Sequence, residues 1–116
     1  MKAKTALKKM AKDNFIGEKK DDQLAALVCW GALEIGPRKE DRPKVSAWIS
    51  EAMKLTPEDK KQIARFWSNL SSGGAIEKGK IYFSGGEGAG MEFALLINIA
   101  QGYIKMTHSP KKESKK

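Results

Sequence analysis

Four side chains suited to nucleic-acid contact fall on one side of a helix predicted in the middle of the chain. Lys61 and Arg65 are four residues apart, and Lys60 and Asn69 lie at the margins of the same face. Lysine and arginine contact phosphate or guanine, and asparagine pairs with adenine. Like charges at this spacing mildly destabilise a helix unless an anion faces them. Glu58 can supply part of that charge, so an ordinary solvated basic face is an equal alternative.

A short β-hairpin is predicted after this helix and places two more lysines beside a turn. Segments 75–77 and 80–84 are expected to pair, with Lys78 and Lys80 flanking the turn residue Gly79. Both lysines are expected to contact the nucleic-acid backbone. A basic helix followed by a hairpin resembles the winged-helix arrangement of DNA-binding domains. The expected fold class is mainly α with a small β-hairpin (α+β), in a helix-turn-helix or winged-helix-like arrangement.

The C-terminal segment 107–116 is expected to be a disordered basic tail, because it is too polar to form a core. Its Ser-Pro-Lys-Lys run at 109–112 resembles the minor-groove repeat of linker-histone tails, and it also resembles a proline-directed phosphorylation site. If Lys111 and Lys112 bind nucleic acid, lysine charge dominates and the affinity falls steeply with salt. The same residues can equally serve only to solubilise the protein.

Capping residues and helix-ending residues divide the rest of the chain into predicted helices. A nearly apolar helix is predicted to start at Asp21 and Asp22 as caps and to end at Gly36. A third helix runs to position 53, and the fourth is capped by Thr56, which leaves a join of about three residues, as in helix-turn-helix units. Residues 91–105 are predicted to form a helix, with a central strand as the alternative.

Charge is concentrated at the two ends. Residues 1–20 hold seven lysines against two acidic side chains, and residues 107–116 hold four lysines against one. Residues 21–106 carry no formal net charge, although the chain as a whole carries +8. We therefore expect a basic N-terminal amphipathic helix or arm (1–20), a single neutral globular domain (21–106) and the basic tail. Exposed terminal lysines either bind a polyanion or solubilise the chain.

Few residues offer other chemistry. The glycine run at 85–90 lacks the GK[ST] of a phosphate-binding loop and does not satisfy GxGxxG, and Glu87 would repel phosphate. The lone Cys29 has no histidine near it in the sequence, and His108 is the only histidine, so no metal site and no catalytic residues are expected. No cofactor is predicted, and the chain is expected not to be an enzyme.

Two functions follow from these features. The first is a small nucleic-acid-binding protein, with DNA preferred, that acts as a regulator or accessory factor. The second is a small helical adaptor or inhibitor that binds another protein, as proteins of mobile genetic elements often do, because Trp30, Trp48, Trp67, Phe66 and Tyr103 are many large aromatics for 116 residues. A single cysteine and the lack of a long apolar run predict a cytoplasmic protein without membrane contact.

Overall fold

The protein is described from a computed structural model that covers residues 1–13, 16–82 and 89–105. In these ranges the chain is mainly helical with one two-stranded antiparallel sheet, as the sequence predicts. The elements are α1 (Ala3–Lys12), α2 (Lys20–Glu34), a 3-10 helix (Lys39–Asp41), α3 (Arg42–Ser50), α4 (Pro57–Ser72), β1 (Ile76–Glu77), β2 (Lys80–Ile81) and α5 (Ala89–Ala100). None of these helices is long and apolar enough to cross a membrane.

Helix α2 is the centre of the core, as its apolar sequence predicts. It contacts α1, α3, α4 and α5, and Leu24, Leu27 and Val28 are fully buried on it. At Gly31 the axes of α2 and α3 come close, because a Cβ atom there would lie 2.5 Å from Cγ1 of Val45. A larger residue at this position would therefore force Val45 to shift.

The predicted capping of α2 by aspartate is wrong. The helix begins at Lys20 with Lys19 as its N-cap, and no side chain caps it. Asp21 and Asp22 lie in the first turn instead, where a carboxylate still favours the positive end of the helix dipole.

The predicted cap of α4 is confirmed. Thr56 Oγ1 accepts a hydrogen bond from the Asp59 N–H at 3.1 Å, and the Thr56 N–H donates to Asp59 Oδ2 at 2.9 Å. This reciprocal capping box, with Pro57 at the first helical position, fixes where α4 starts.

The predicted short join between the third and fourth helices is wrong. Helix α3 ends at Ser50, so residues 51–56 separate it from α4. The chain leaves α3 through a tighter turn in which the Ala52 N–H donates to the Ile49 carbonyl at 2.9 Å. Both α3 and α4 pack against α2.

Asp59 also gives a pH prediction, because Lys20 Nζ lies 2.7 Å from Asp59 Oδ2. The hydrogen bond from Lys20, followed by the one from the Thr56 backbone, lowers the pKa of Asp59. A carboxyl whose pKa is lower in the folded chain stabilises the fold above its unfolded pKa, and this stabilisation is lost as pH falls through the folded pKa. Asp59→Asn is therefore expected to destabilise the protein at neutral pH, with the difference from wild type shrinking below about pH 4. Urea unfolding at several pH values measures this.

Glu58→Gln is the matched control for that series. Glu58 is exposed, and its ion pair with Lys61 Nζ is long, at 4.0 Å, and therefore weak. It should change the free energy of unfolding little at any pH. If the difference in free energy of unfolding between wild type and Asp59→Asn stayed constant down to acid pH, the lowered pKa of Asp59 would be contradicted.

Helix α1 is docked on the core. Ala3, Ala6 and Met10 are fully buried, and α1 contacts α2 and α3. Trp48 Nε1 on α3 donates a hydrogen bond to the Met1 carbonyl at 2.7 Å. Within residues 1–20, the segment Ala3–Lys12 is therefore a helix packed on the core.

The hairpin and the last helix follow the α4 C-terminus. Strands β1 and β2 pair antiparallel, with Ile76 opposite Ile81 and Glu77 opposite Lys80. The predicted second strand extends to position 84, and its residues 83 and 84 lie outside the described residues. The predicted helix over 91–105 is confirmed as α5, although it ends at Ala100. The glycine run at 85–90 lies mostly, and the tail at 107–116 entirely, outside the described residues.

Candidate nucleic-acid interface

The exposed side of α4 carries three of the predicted contact residues. Lys60, Lys61 and Arg65 are all exposed. Lys61 has one weak acidic neighbour, Glu58, at 4.0 Å. The opposite side of α4 is buried in the core through Ile63, Phe66, Trp67 and Leu70. The sequence therefore predicted correctly which side of this helix faces solvent.

Asn69 lies at the margin of this face and contacts α5. Its side chain is half-buried, and its Nδ2 donates a hydrogen bond to the Ala100 carbonyl at the end of α5, at 2.8 Å. This bond satisfies one of the carbonyls that a helix C-terminus leaves without a partner. Through this bond Asn69 ties α4 to α5, and one of its two amide N–H groups is used inside the fold.

The hairpin presents the other two predicted lysines of the folded region. Lys78 and Lys80 are both exposed, and Lys80 pairs across the sheet with Glu77. Strand β1 packs against α4, which fixes the hairpin relative to that helix. The predicted tail contacts Lys111 and Lys112 lie outside the described residues.

Helix α1 provides a basic surface that the predicted site residues did not include. Lys4, Lys8, Lys9 and Lys12 are exposed, and within the described part of the chain none of them forms an ion pair. We call these four residues the α1 lysine face. Helix α1 itself contains no acidic residue. The helical spacing was visible in the sequence, which left docking on the core and fraying in water as alternatives, and the structure shows the helix docked.

The groups with catalytic potential are not brought together. Cys29 is fully buried, and burial raises the pKa of its thiol, which keeps it protonated. His108 lies outside the described residues. In ranges 1–13, 16–82 and 89–105, no cluster of three or more His, Cys, Asp or Glu side chains is arranged to hold a metal ion. What the described surface does offer is lysine and arginine, whose chemistry is anion binding.

Comparison with known proteins adds no function to this geometry. The kind of ligand that helix α4, the hairpin and the α1 lysine face can bind therefore follows from their charge, exposure and packing alone. Neither protein-family models, nor curated proteins, nor solved structures give a significant match to this chain.

Proposed function

We propose that this protein binds nucleic acid, DNA in the first instance, as a small regulatory or accessory protein without catalytic activity. The observation that carries the proposal is the α1 lysine face, which has four exposed lysines without ion-pair partners on a helix docked on the core. A polyanion with regularly spaced phosphates is the partner whose charge complements this surface.

The spacing of these lysines suits a phosphate backbone. Lys4, Lys8 and Lys12 follow one another at four-residue intervals along α1. Each interval advances about 6 Å along a helix axis. Two such like-charged pairs weaken an isolated helix, and burial of Ala3, Ala6 and Met10 on the other side offsets that cost. Binding of phosphates would relieve the repulsion.

The winged-helix arrangement belongs to this proposal. Helix α4 would lie against the nucleic acid through Lys60, Lys61 and Arg65, with Lys78 and Lys80 of the hairpin as wing contacts. Asn69 is half-buried, with one amide N–H bonded to α5, so the predicted contacts that are exposed on this face are the three cations. We therefore assign it to phosphate contacts, which position a protein on DNA without reading its sequence.

A salt series tests the proposal. Binding of the full chain to labelled duplex DNA, followed by fluorescence anisotropy, is expected to weaken steeply and linearly on a log–log plot against salt. Lys61→Ala/Arg65→Ala should reduce the slope by about 2, since each lost phosphate contact removes roughly one. A chain without residues 107–116 separates the contribution of the tail.

Three outcomes of this series are informative. No binding at low salt rejects the function. Loss of binding only when the tail is removed rejects the roles of α4 and of the α1 lysine face. If Lys61→Ala/Arg65→Ala has the same log–log salt slope as wild type, only the α4 contact is rejected.

Protein binding is the second candidate function, and the aromatic residues give it limited support. Phe66 and Trp67 are buried, and Trp30 and Trp48 are half-buried, so the core accounts for most of the aromatic surface. Tyr103 is 71% exposed, and two further large apolar side chains are exposed on or just after α5, namely Leu95 and Ile104. Capture of one stoichiometric protein partner after nuclease treatment would favour this adaptor function over nucleic-acid binding.

A further inference from the structure

A basic cleft lies between the start of α3 and the turn of the hairpin. It has a volume of about 560 Å³, and its cationic lining residues are Arg38, Lys39, Arg42 and Lys78. We call it the basic cleft. The two walls touch, because a Cβ atom on Gly79 in the hairpin turn would lie 3.2 Å from Cγ of Arg38. Segments about forty residues apart in the sequence thus bring four cations to one place.

Three of these cations have no carboxylate partner. Arg38 is held by Asp41, with 3.2 Å between its Nε and Oδ2, and it lies 3.7 Å from Glu40. Within the described residues, Lys39, Arg42 and Lys78 form no ion pair.

The acidic residues that line the cleft are Glu40 and Glu77. Glu40 lies beside Arg38, and Glu77 accepts a hydrogen bond from the Tyr82 hydroxyl at 3.4 Å. Four cations against two carboxylates leave the lining with an excess of positive charge.

Arg42 is held by an aromatic ring. Its guanidinium lies over the Trp67 ring, with 5.1 Å between Cζ and the ring centroid. Its Nε is buried and has no hydrogen-bond partner among the described residues. Stacking on tryptophan fixes the plane of the guanidinium, and a planar fork with unused donors matches an oxyanion. Because Nε is buried, an anion in the cleft would meet the two terminal nitrogens of the guanidinium.

Lys78 is held in an unfavourable backbone conformation beside the cleft. Its φ is 55°, and Gly79 follows at 75°, so the two form a two-residue hairpin turn with both central residues left-handed. Asparagine, aspartate or glycine normally occupies the first of these positions. A lysine there adds backbone strain but places an unpaired cation at the cleft, which favours a role for the side chain.

We propose that the basic cleft binds a phosphate group through Lys39, Arg42 and Lys78. The phosphate belongs either to a nucleic-acid strand or to a small phosphorylated molecule. The first source rests on the proposed function, and the second is independent of it. In both cases the guanidinium of Arg42 supplies directed hydrogen bonds, and the two lysines supply charge.

The test is a titration of the full chain with inorganic phosphate, followed by ¹H–¹⁵N NMR against sodium chloride at equal ionic strength. Phosphate is expected to shift the amide and side-chain resonances of residues 38–42 and 77–79, with a dissociation constant of about millimolar order. Lys39→Gln/Lys78→Asn removes two of the cations, and asparagine suits the left-handed turn, so the hairpin is preserved. This variant should raise the phosphate dissociation constant by about tenfold or more.

Lys44→Gln/Lys54→Gln is the matched control, because it removes the same charge from exposed positions that do not line the cleft. It should leave the phosphate titration unchanged. Phosphate shifts that are absent, or that spread equally over the lysines of α1, would overturn the proposal.

The source of the phosphate is identified by repeating the titration with a duplex oligonucleotide. Weaker oligonucleotide binding by the cleft variant, with the control unaffected, assigns the cleft to a strand phosphate. Unchanged oligonucleotide binding, with inorganic phosphate still bound, assigns it to a small phosphorylated molecule. If the wild type binds inorganic phosphate but no oligonucleotide, the nucleic-acid function is rejected, and the cleft is still a phosphate-binding site.

Discussion

Replacing Lys4, Lys8 and Lys12 with glutamine is expected to weaken binding to duplex DNA most at low salt. All three lysines are exposed on the α1 lysine face and have no ion-pair partner in the described chain. Each phosphate contact releases counterions, so losing three should reduce the log–log salt slope by about 2.7. The gap between variant and wild type should therefore narrow as salt rises. Fluorescence anisotropy at a series of salt concentrations measures both quantities.

The substitution leaves the fold intact, because glutamine has nearly the helix propensity of lysine and the buried side of α1 is untouched. It also removes two like-charged pairs, which should slightly stabilise the helix. Circular dichroism and the urea midpoint would check both expectations. The matched control is Lys44→Gln/Lys54→Gln/Lys105→Gln, which removes equal charge from exposed positions outside α1. An equal loss of slope in both variants would mean that only net charge matters, and it would contradict a binding face on α1.

Local signals in the sequence predicted the elements well. Thr56 and Pro57 mark the start of α4 because a hydroxyl accepts from the first-turn N–H groups and proline has no N–H to leave unpaired. Gly36 follows the end of α2 with a φ of 147°, which only glycine adopts readily. The choice of helix over strand for residues 91–105 succeeded because its length and alanines favour helix. Each of these signals acts within a few residues.

Two features of the fold depend on partners that are distant in the sequence. Asn69 is 31 residues from Ala100, the carbonyl that it binds, so helical periodicity could place it only at the margin of the exposed face. Helix α3 ends at Ser50 although apolar spacing continues to Met53, because packing on α2 and the tighter turn decide where the helix stops.

The candidate site was predictable in composition but not in geometry. Lysine counts revealed the basic ends, and apolar spacing allowed either docking or fraying of the first helix, but only the structure shows that α1 is docked through Met10. The basic cleft was not predictable, because Arg42 and Lys78 line one cleft only after the hairpin folds back toward the start of α3. Both features are consequences of tertiary packing.

Phe66→Ala is expected to lower the free energy of unfolding by about 3–5 kcal/mol, the range for removing a buried aromatic side chain. Phe66 is 2% exposed on the inner side of α4, a helix that packs against α2 and α5. Truncation leaves a cavity that these helices cannot fully fill. Because a domain of this size is stabilised by only about 5–15 kcal/mol, the urea midpoint should fall sharply. Ser68→Ala, at an exposed position on the same helix, should change it by less than about 0.5 kcal/mol.

The same variant separates the two candidate functions. An aromatic side chain that anchors an interface can be truncated at little cost to the isolated fold, and partner binding is then lost. Truncation of a core aromatic side chain lowers the free energy of unfolding, and binding then changes only as far as the fold is lost. Because Phe66 and Trp67 are buried and Arg42 covers the Trp67 ring, we expect the second behaviour. A loss of less than about 1 kcal/mol in Phe66→Ala would contradict the packing of α4 and would make the adaptor function the better explanation of its aromatic residues.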